Sequence, residues 1–231
     1  MQVLNSTRYT EITDSKIRMA NVLLKANIPT PTTLCMPKGH CNNTFHEIQE
    51  TLGNPPYVFK PDYGTRGIGV QFALSLNNIE SFAKQLLTQQ RQAKATLHHH
   101  QAQQGFIVQK FIGDPNELIS HYRVLVIGNE VFPMTLKVTA TSTLTVSNVF
   151  SGAKITFTKT TDALKEIALA ATQASGLNVA GVDIMQDGKK NEKHYWVLEV
   201  NDGPGTKTFE QAGFNVSTRI VNYFIESLDA L

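Results

Sequence analysis

Two acids interrupt strands that are otherwise apolar near the C-terminus of the 231-residue chain. Asp183 falls inside Val179-Ala180-Gly181-Val182-Asp183-Ile184-Met185, and Glu199 follows Val197 and Leu198. An ionised carboxylate in such a strand is costly unless it is paired, hydrogen-bonded or bound to a cation. Side chains alternate between faces along a strand, so Glu199 and Asn201 share one face. A hairpin turning near Asn191 sets Asp183 across from Glu199 on that face. Two carboxylates and an amide oxygen then converge. Acids that close raise each other's pKa unless a cation neutralises them. An all-oxygen set with few protein ligands suits Mg²⁺, which keeps waters and usually also binds substrate phosphates. The alternative is an edge hairpin whose acids face water. The tight Asp202-Gly203-Pro204-Gly205-Thr206 turn beside the cluster weighs against it, since it leaves room for a ligand.

A second candidate is the loop in Val58-Phe59-Lys60-Pro61-Asp62-Tyr63-Gly64-Thr65-Arg66-Gly67-Ile68-Gly69-Val70. No Gly-Lys-Ser/Thr follows its glycines, so it is not a P-loop, and it enters a strand where a dinucleotide fingerprint enters a helix. A glycine loop can still cover phosphates with backbone N–H groups, with Lys60 and Arg66 supplying positive charge. The other reading is a hairpin whose glycines only satisfy turn geometry.

The elements that must position these residues follow from periodicity. A helix spans about Ser15 to Ala26, with Ile17, Ala20, Leu23 and Leu24 on its apolar face, and Asn27-Ile28-Pro29 stops it. A strand at Thr33 to Met36 and a helix opening at Thr44 follow. Strands at Tyr57–Lys60 and Val70–Leu74 flank the glycine loop, then a helix carries Ile79, Phe82 and Leu86, and a strand covers Gly105–Ile112. Residues 88–104 are polar and low in complexity. Their consecutive His98, His99 and His100 cannot all face one ion, which predicts a solvated helix end or loop. In the second half, strands Tyr122–Ile127 and Val131–Val138 flank a Gly128-Asn129 turn, with Pro133 marking a bulge or an edge. Loop and strand occupy Thr139–Thr160, a helix runs from Asp162 to Ser175, and the acid-bearing hairpin precedes a C-terminal helix with Val216, Ile220, Phe224 and Leu228.

Composition narrows the class. The chain is 41% hydrophobic and 17% charged with net charge +2, too little to argue for nucleic acid or an anionic membrane. No apolar run approaches the ~20 residues that span a bilayer, and the N-terminus lacks the pattern of a secretory signal. Cys35 and Cys41 read as free thiols in a reducing compartment. These features predict a cytoplasmic protein.

In this order, the segments DSKIRMANVLLKANIPTP, VFKPDYGTRGIGV, FIVQKFI, YRVLVIGNEV, SNVFSGA, NVAGVDIM and VLEVNDGPG resemble the ATP-grasp fold, in its RimK-like branch of amino-acid and peptide ligases. The resemblance covers nearly the whole chain. It implies an α+β fold in which two subdomains clasp ATP: residues 1–56 as the helical lead-in, 57–112 as the lid, and 113–231 as the subdomain with the metal site. It implies ATP and Mg²⁺ (or Mn²⁺) as cofactors. Lys16 and Lys60 would contact the ATP phosphates, and Gly64, Thr65, Arg66, Gly67, Ile68 and Gly69 would fold over them. Gln109, Lys110, Phe111 and Ile112 would form the adenine hinge, with Leu198 against the ring. Asp183, Glu199 and Asn201 match the metal ligands, the three residues that strand alternation selects. Arg123 and Asn148 match positions near the transferred phosphate and the reacting carboxylate, and Lys137 falls where a basic residue is expected.

Three departures qualify the match. Family members carry an additional N-terminal domain, and this chain begins almost at the first ATP-grasp helix. That leaves a trimmed chain, a partner supplying the missing wall, or a minimal ligase with an open acceptor site, with a homo-oligomer as the alternative to such a partner. After Asn148, Lys154 stands as the nearest replacement for an absent arginine. His121 and Lys110 occupy positions where acids are usual. The expected activity is ATP-dependent joining of a small-molecule or peptide carboxylate to an amine through an acyl phosphate. A nucleotide-binding module within a larger assembly and a kinase that stops at phosphoryl transfer are the alternatives.

Overall fold

Two antiparallel sheets carry the chain in the computed structural model, which describes residues 4–36, 44–64, 67–93, 105–144, 152–187 and 193–229. Two helices come first, α1 (Thr7–Asp14) and α2 (Lys16–Lys25). The first sheet has four strands in the order β1-β4-β2-β3: β1 Thr33–Met36, β2 Tyr57–Pro61, β3 Gln71–Ala73 and β4 Phe106–Lys110. Strict alternation along β2 buries Tyr57, Phe59 and Pro61. Tyr57 and Phe59 pack against Ile48 and Leu52 of α3 (Thr44–Leu52) and Ile79 and Ala83 of α4 (Leu76–Ala93). Each such side chain stabilises by about 1.5–3 kcal/mol, so this face is fixed. Lys60 therefore projects from the opposite face, beside its register partner Ile107.

The second sheet has the order β10-β9-β5-β7-β8 with β6 paired to β5. Its strands are β5 Ser120–Ile127, β6 Glu130–Val131, β7 Met134–Thr139, β8 Lys154–Lys159, β9 Val179–Asp187 and β10 His194–Asn201. One face (Val124, Val126, Val182, Ile184, Val197, Val200) is covered by Met19 and Leu23 of α2 and by Leu164, Ala168 and Ala171 of α5 (Asp162–Ser175). On the other face Leu125, Ile127, Leu136 and Val138 pack under Phe132, Phe209 of α6 (Lys207–Gln211) and Val216 of α7 (Val216–Asp229). That second core leaves the part of the face bearing Arg123, Asp183 and Glu199 open to the first sheet.

The fold differs from the sequence expectation in three places. Helix α1 lacks a clean apolar stripe, yet Tyr9 and Ile12 pack on the core. The Tyr9 ring lies so close to Gly176 that a Cβ there would come within 2.5 Å of it. The five-residue α6 is too short to show periodicity. Pro133 splits the expected single strand into β6 and β7, because proline has no N–H for the ladder. The strand expected within Thr139–Thr160 is the edge strand β8. The histidines 98–100 lie outside the described residues.

Candidate active site

Strand β10 pairs Val197 with Ile184 but Glu199 with Asp183, so Leu198 is an extra, bulged residue. Continued from His194–Asp187, the unbulged register would set Leu198 against Asp183 and turn Glu199 to the helix-covered face. The bulge brings Asp183, Glu199 and Asn201 onto one face, the arrangement expected from sequence.

Arg123 of β5 lies across from Asp183 on the other side of β9. Its guanidinium binds the carboxylate through two hydrogen bonds, Nε to Oδ1 at 2.8 Å and Nη2 to Oδ2 at 2.7 Å. Asp183 also receives the Asn201 amide at 3.4 Å, and His121 Nε2 stands 3.8 Å away. Burial alone would push the Asp183 carboxyl up, but the Arg123 charge and hydrogen bonds, helped by His121 and Asn201, hold it below the usual range. The same pairing raises Arg123, while burial pushes the His121 imidazole down.

Two lysines approach from the first sheet and α2. Burial lowers Lys60 to about 8, with Lys16 adding to the shift and Glu199 and Asp183 opposing it. The Lys16 ammonium sits 3.7 Å from Glu199 Oε1 and donates to the Gly64 carbonyl at 2.8 Å. Both Lys16 and the loop are tied to Asp62, which is 7% exposed. Its Oδ1 accepts from Ser15 Oγ at 2.8 Å and from the Ile17 N–H at 3.0 Å, while its carbonyl accepts from the Lys16 N–H at 3.0 Å. Sequence reading passes over Asp62, because nothing in its spacing separates it from an ordinary turn acid.

Beyond Gly64 the loop takes positive φ at Gly67 (72°) and Gly69 (75°), and Ile68 stands 72% exposed at its tip. A Cβ on Gly69 would come within 2.7 Å of the Pro61 ring, so this turn requires glycine. At the far end of the cleft, Gln109 is buried and donates to Thr33 Oγ1, and Lys110 Nζ reaches out to the Asn54 carbonyl. Phe111, buried against Phe72, and half-buried Ile112 lie past the end of β4.

A family model for the RimK-like ATP-grasp domain matches residues 13–224. The chain belongs to this family. It is 29% identical over 214 residues to a probable alpha-L-glutamate ligase of Xylella fastidiosa (strain M12), covering 92% of this chain and 64% of the relative. A probable alpha-L-glutamate ligase of Coxiella burnetii (strain Dugway 5J108-111) is also 29% identical, over 96% of this chain and 66% of its own length. The chain thus spans just under two thirds of these curated relatives. Among solved structures, D-alanine–D-alanine ligase from Bacillus anthracis complexed with ATP is similar with a TM-score of 0.68 at 19% identity, over 96% of this chain and 68% of that one. The ATP-grasp ligase PsnB, complexed with a phosphomimetic variant of a minimal precursor, Mg and ADP, has a TM-score of 0.64 at 19% identity, over 98% and 62%. These likenesses establish the ATP-grasp fold.

Within this ATP-grasp domain, two expected catalytic residues stand apart. Lys137 pairs with Tyr122, one register position from Arg123, so it lies on the opposite face of the sheet, with its ammonium 5.8 Å from the Tyr122 ring. Lys154 opens the edge strand β8 opposite Thr139, on that same far face, and is exposed. The pairing of β7 with β5 and β8 thus keeps these two lysines out of the cluster. Thr65, Arg66 and Asn148 fall outside the described residues.

The residues present fit a hard divalent cation. The donors at the bulge are two carboxylates and one amide, all oxygen, which suits Mg²⁺ with part of its shell left to water and phosphate. Among the described residues no group of three His, Cys, Asp or Glu side chains forms a denser site. Also among these residues, no helix is long and apolar enough to cross a membrane.

Proposed function

We propose that the chain is an ATP-dependent carboxylate–amine ligase that works through an acyl phosphate and releases ADP and phosphate. The observation that carries this reading is the opposition of Glu199 and Asp183 at the Leu198 bulge, ringed by Lys16, Lys60 and Arg123. Three cations around two acids leave net positive charge for a polyphosphate. The names of the relatives make L-glutamate the first amine to try, with a peptide or small-molecule carboxylate as its acceptor.

Asp183, Glu199 and Asn201 would hold Mg²⁺, which would supply neutralisation of phosphate charge. Phe111 and Ile112 at the end of β4 would flank the adenine, with Leu198 packing on it from the bulge. Lys60 and Lys16 draw the phosphates in from either side. As the carboxylate oxygen attacks the γ-phosphorus, Arg123 faces the growing charge on the transferred group. The amine then attacks the acyl carbon, phosphate departs with the electron pair of the cleaved C–O bond and takes up the proton the amine loses, and an amide remains. The glycine loop closing over the phosphates keeps water from the acyl phosphate.

Isotope transfer tests the intermediate. A substrate carboxylate labelled with ¹⁸O should pass one labelled oxygen to the released phosphate, read by mass spectrometry. Turnover with unlabelled phosphate would exclude the acyl phosphate.

A further inference from the structure

We infer that Asp62 is a positioning residue that ties the base of the glycine loop to the start of α2, so that the phosphate-binding Lys16 is held in place against it. The inference rests on the nucleotide site proposed above, and it concerns a residue outside the set proposed there to hold nucleotide or metal. The N-terminus of α2 has two acceptors: Ser15 takes the Arg18 N–H at 3.2 Å, and the Ile17 N–H goes to Asp62 Oδ1, from 45 residues away. A carboxylate at that end is favoured both as a hydrogen-bond acceptor and by the helix dipole. Four hydrogen bonds then join residues 15–17 to residues 62–64: Ser15 Oγ and Ile17 N to Asp62 Oδ1, Lys16 N to the Asp62 carbonyl, and Lys16 Nζ to the Gly64 carbonyl. The Asp62 N–H closes the junction by donating to Gly105 at the entry to β4 at 3.1 Å.

This junction has a mechanical consequence. Lys16 begins a helix whose Met19 and Leu23 are buried in the core of the six-stranded sheet, and Asp62 directly follows a strand whose Tyr57 and Phe59 are buried in the other core. Asp62 thus fixes the distance between the two halves where Lys16 meets Glu199. The Lys16 ammonium is thereby held in place before any nucleotide arrives. A side chain without an acceptor at this position would remove both bonds to Oδ1, leaving Ser15 as the side-chain cap of α2 and Lys16 held through main-chain carbonyls alone.

The test is steady-state kinetics for Mg-ATP with calorimetric binding of the unreactive analogue Mg-AMPPNP, on wild type, Asp62→Ala, Asp62→Asn, Ser15→Ala, Lys16→Ala and the Asp62→Ala/Lys16→Ala double variant. Asp62→Ala should raise the ATP KM and the analogue Kd by about tenfold while kcat changes by less than about threefold, because the lost term is ground-state binding. Asp62→Asn keeps an oxygen that accepts the same two bonds and should stay within about threefold of wild type. Ser15→Ala, which keeps the Asp62–Ile17 bond, should fall between them and covers the case in which Asp62→Ala does not fold. If Asp62 acts through Lys16, the double variant should bind no more weakly than Lys16→Ala. Multiplicative effects, an Asn variant as weak as Ala, or a lower Tm with unchanged Kd would overturn the inference. Failure of wild type to bind Mg-AMPPNP would remove the nucleotide site itself and the inference with it. Normal wild-type binding with unaffected Asp62 variants would remove only the coupling.

Discussion

Glu199 faces Asp183 across the β9–β10 ladder because one residue, Leu198, is inserted between two registers. The two acids differ in surroundings. The Asp183 side chain is 9% exposed and held bidentately by Arg123, whereas Glu199 is 34% exposed with Lys16 at 3.7 Å. Removing the charge of each should therefore have different consequences. Glu199→Gln should lower Mg-ATP-dependent turnover by about 100-fold, close to 2.7 kcal/mol, with Tm nearly unchanged. Asp183→Asn should cost similar activity and also about 3 kcal/mol of stability, since it strands the Arg123 guanidinium. Denaturant melts beside turnover assays separate the two. Equal stability loss in both variants would contradict the assignment.

Lys60 gives a pH signature. The unfolded chain keeps this proton up to about 10.5, while the folded chain releases it at about 8. Between those values the unfolded state binds more protons, so stability rises with pH. Lys60→Met should accordingly raise Tm by about 3 °C at pH 7, and the gain should vanish as pH passes from 8 to 10.5. Nucleotide affinity should fall about tenfold in the variant, and wild type should take up protons on binding ATP above pH 8. A melting difference that is flat with pH would contradict the buried charge.

The turn at Gly69 should tolerate no side chain. Gly69→Ala would press a methyl group into the Pro61 ring and force a positive φ on an L-residue. Strain of about 1–2 kcal/mol is expected. Because the loop is exposed, most of it should appear as weaker ATP binding and little as a lower Tm. Titration of Mg-AMPPNP, with melting curves alongside, checks this.

Charge on the far face of the sheet should be dispensable. Lys137→Met and Lys154→Met should keep kcat and the ATP KM within about twofold of wild type, as surface changes remote from the cluster do. Lys110→Ala should behave likewise, since its ammonium donates to the Asn54 carbonyl. A drop beyond about tenfold for Lys137→Met would mean that the register of β5 and β7 misplaces it.

The grouping of Asp183, Glu199 and Asn201 was legible because period-two alternation and hairpin pairing are local properties of two consecutive strands. The placement of Lys137 depends on β5–β7 pairing past the break at Pro133, which spacing does not disclose. Asp62 was invisible for a related reason, since its partners Ser15 and Ile17 come from another part of the chain. Helix α1 escaped because its stability comes from Tyr9 and Ile12 docking on the core, and α6 because five residues carry no period.

Release of ADP from Mg-ATP, with L-glutamate and a panel of amino-acid and peptide carboxylates and mass spectrometry of the products, tests the central claim most directly. The account predicts ADP formation that needs both carboxylate and amine, with a condensed product lighter by one water than their sum. ADP appearing with a phosphorylated, unligated product would contradict the ligase, and absence of Mg-ATP binding would contradict the site itself.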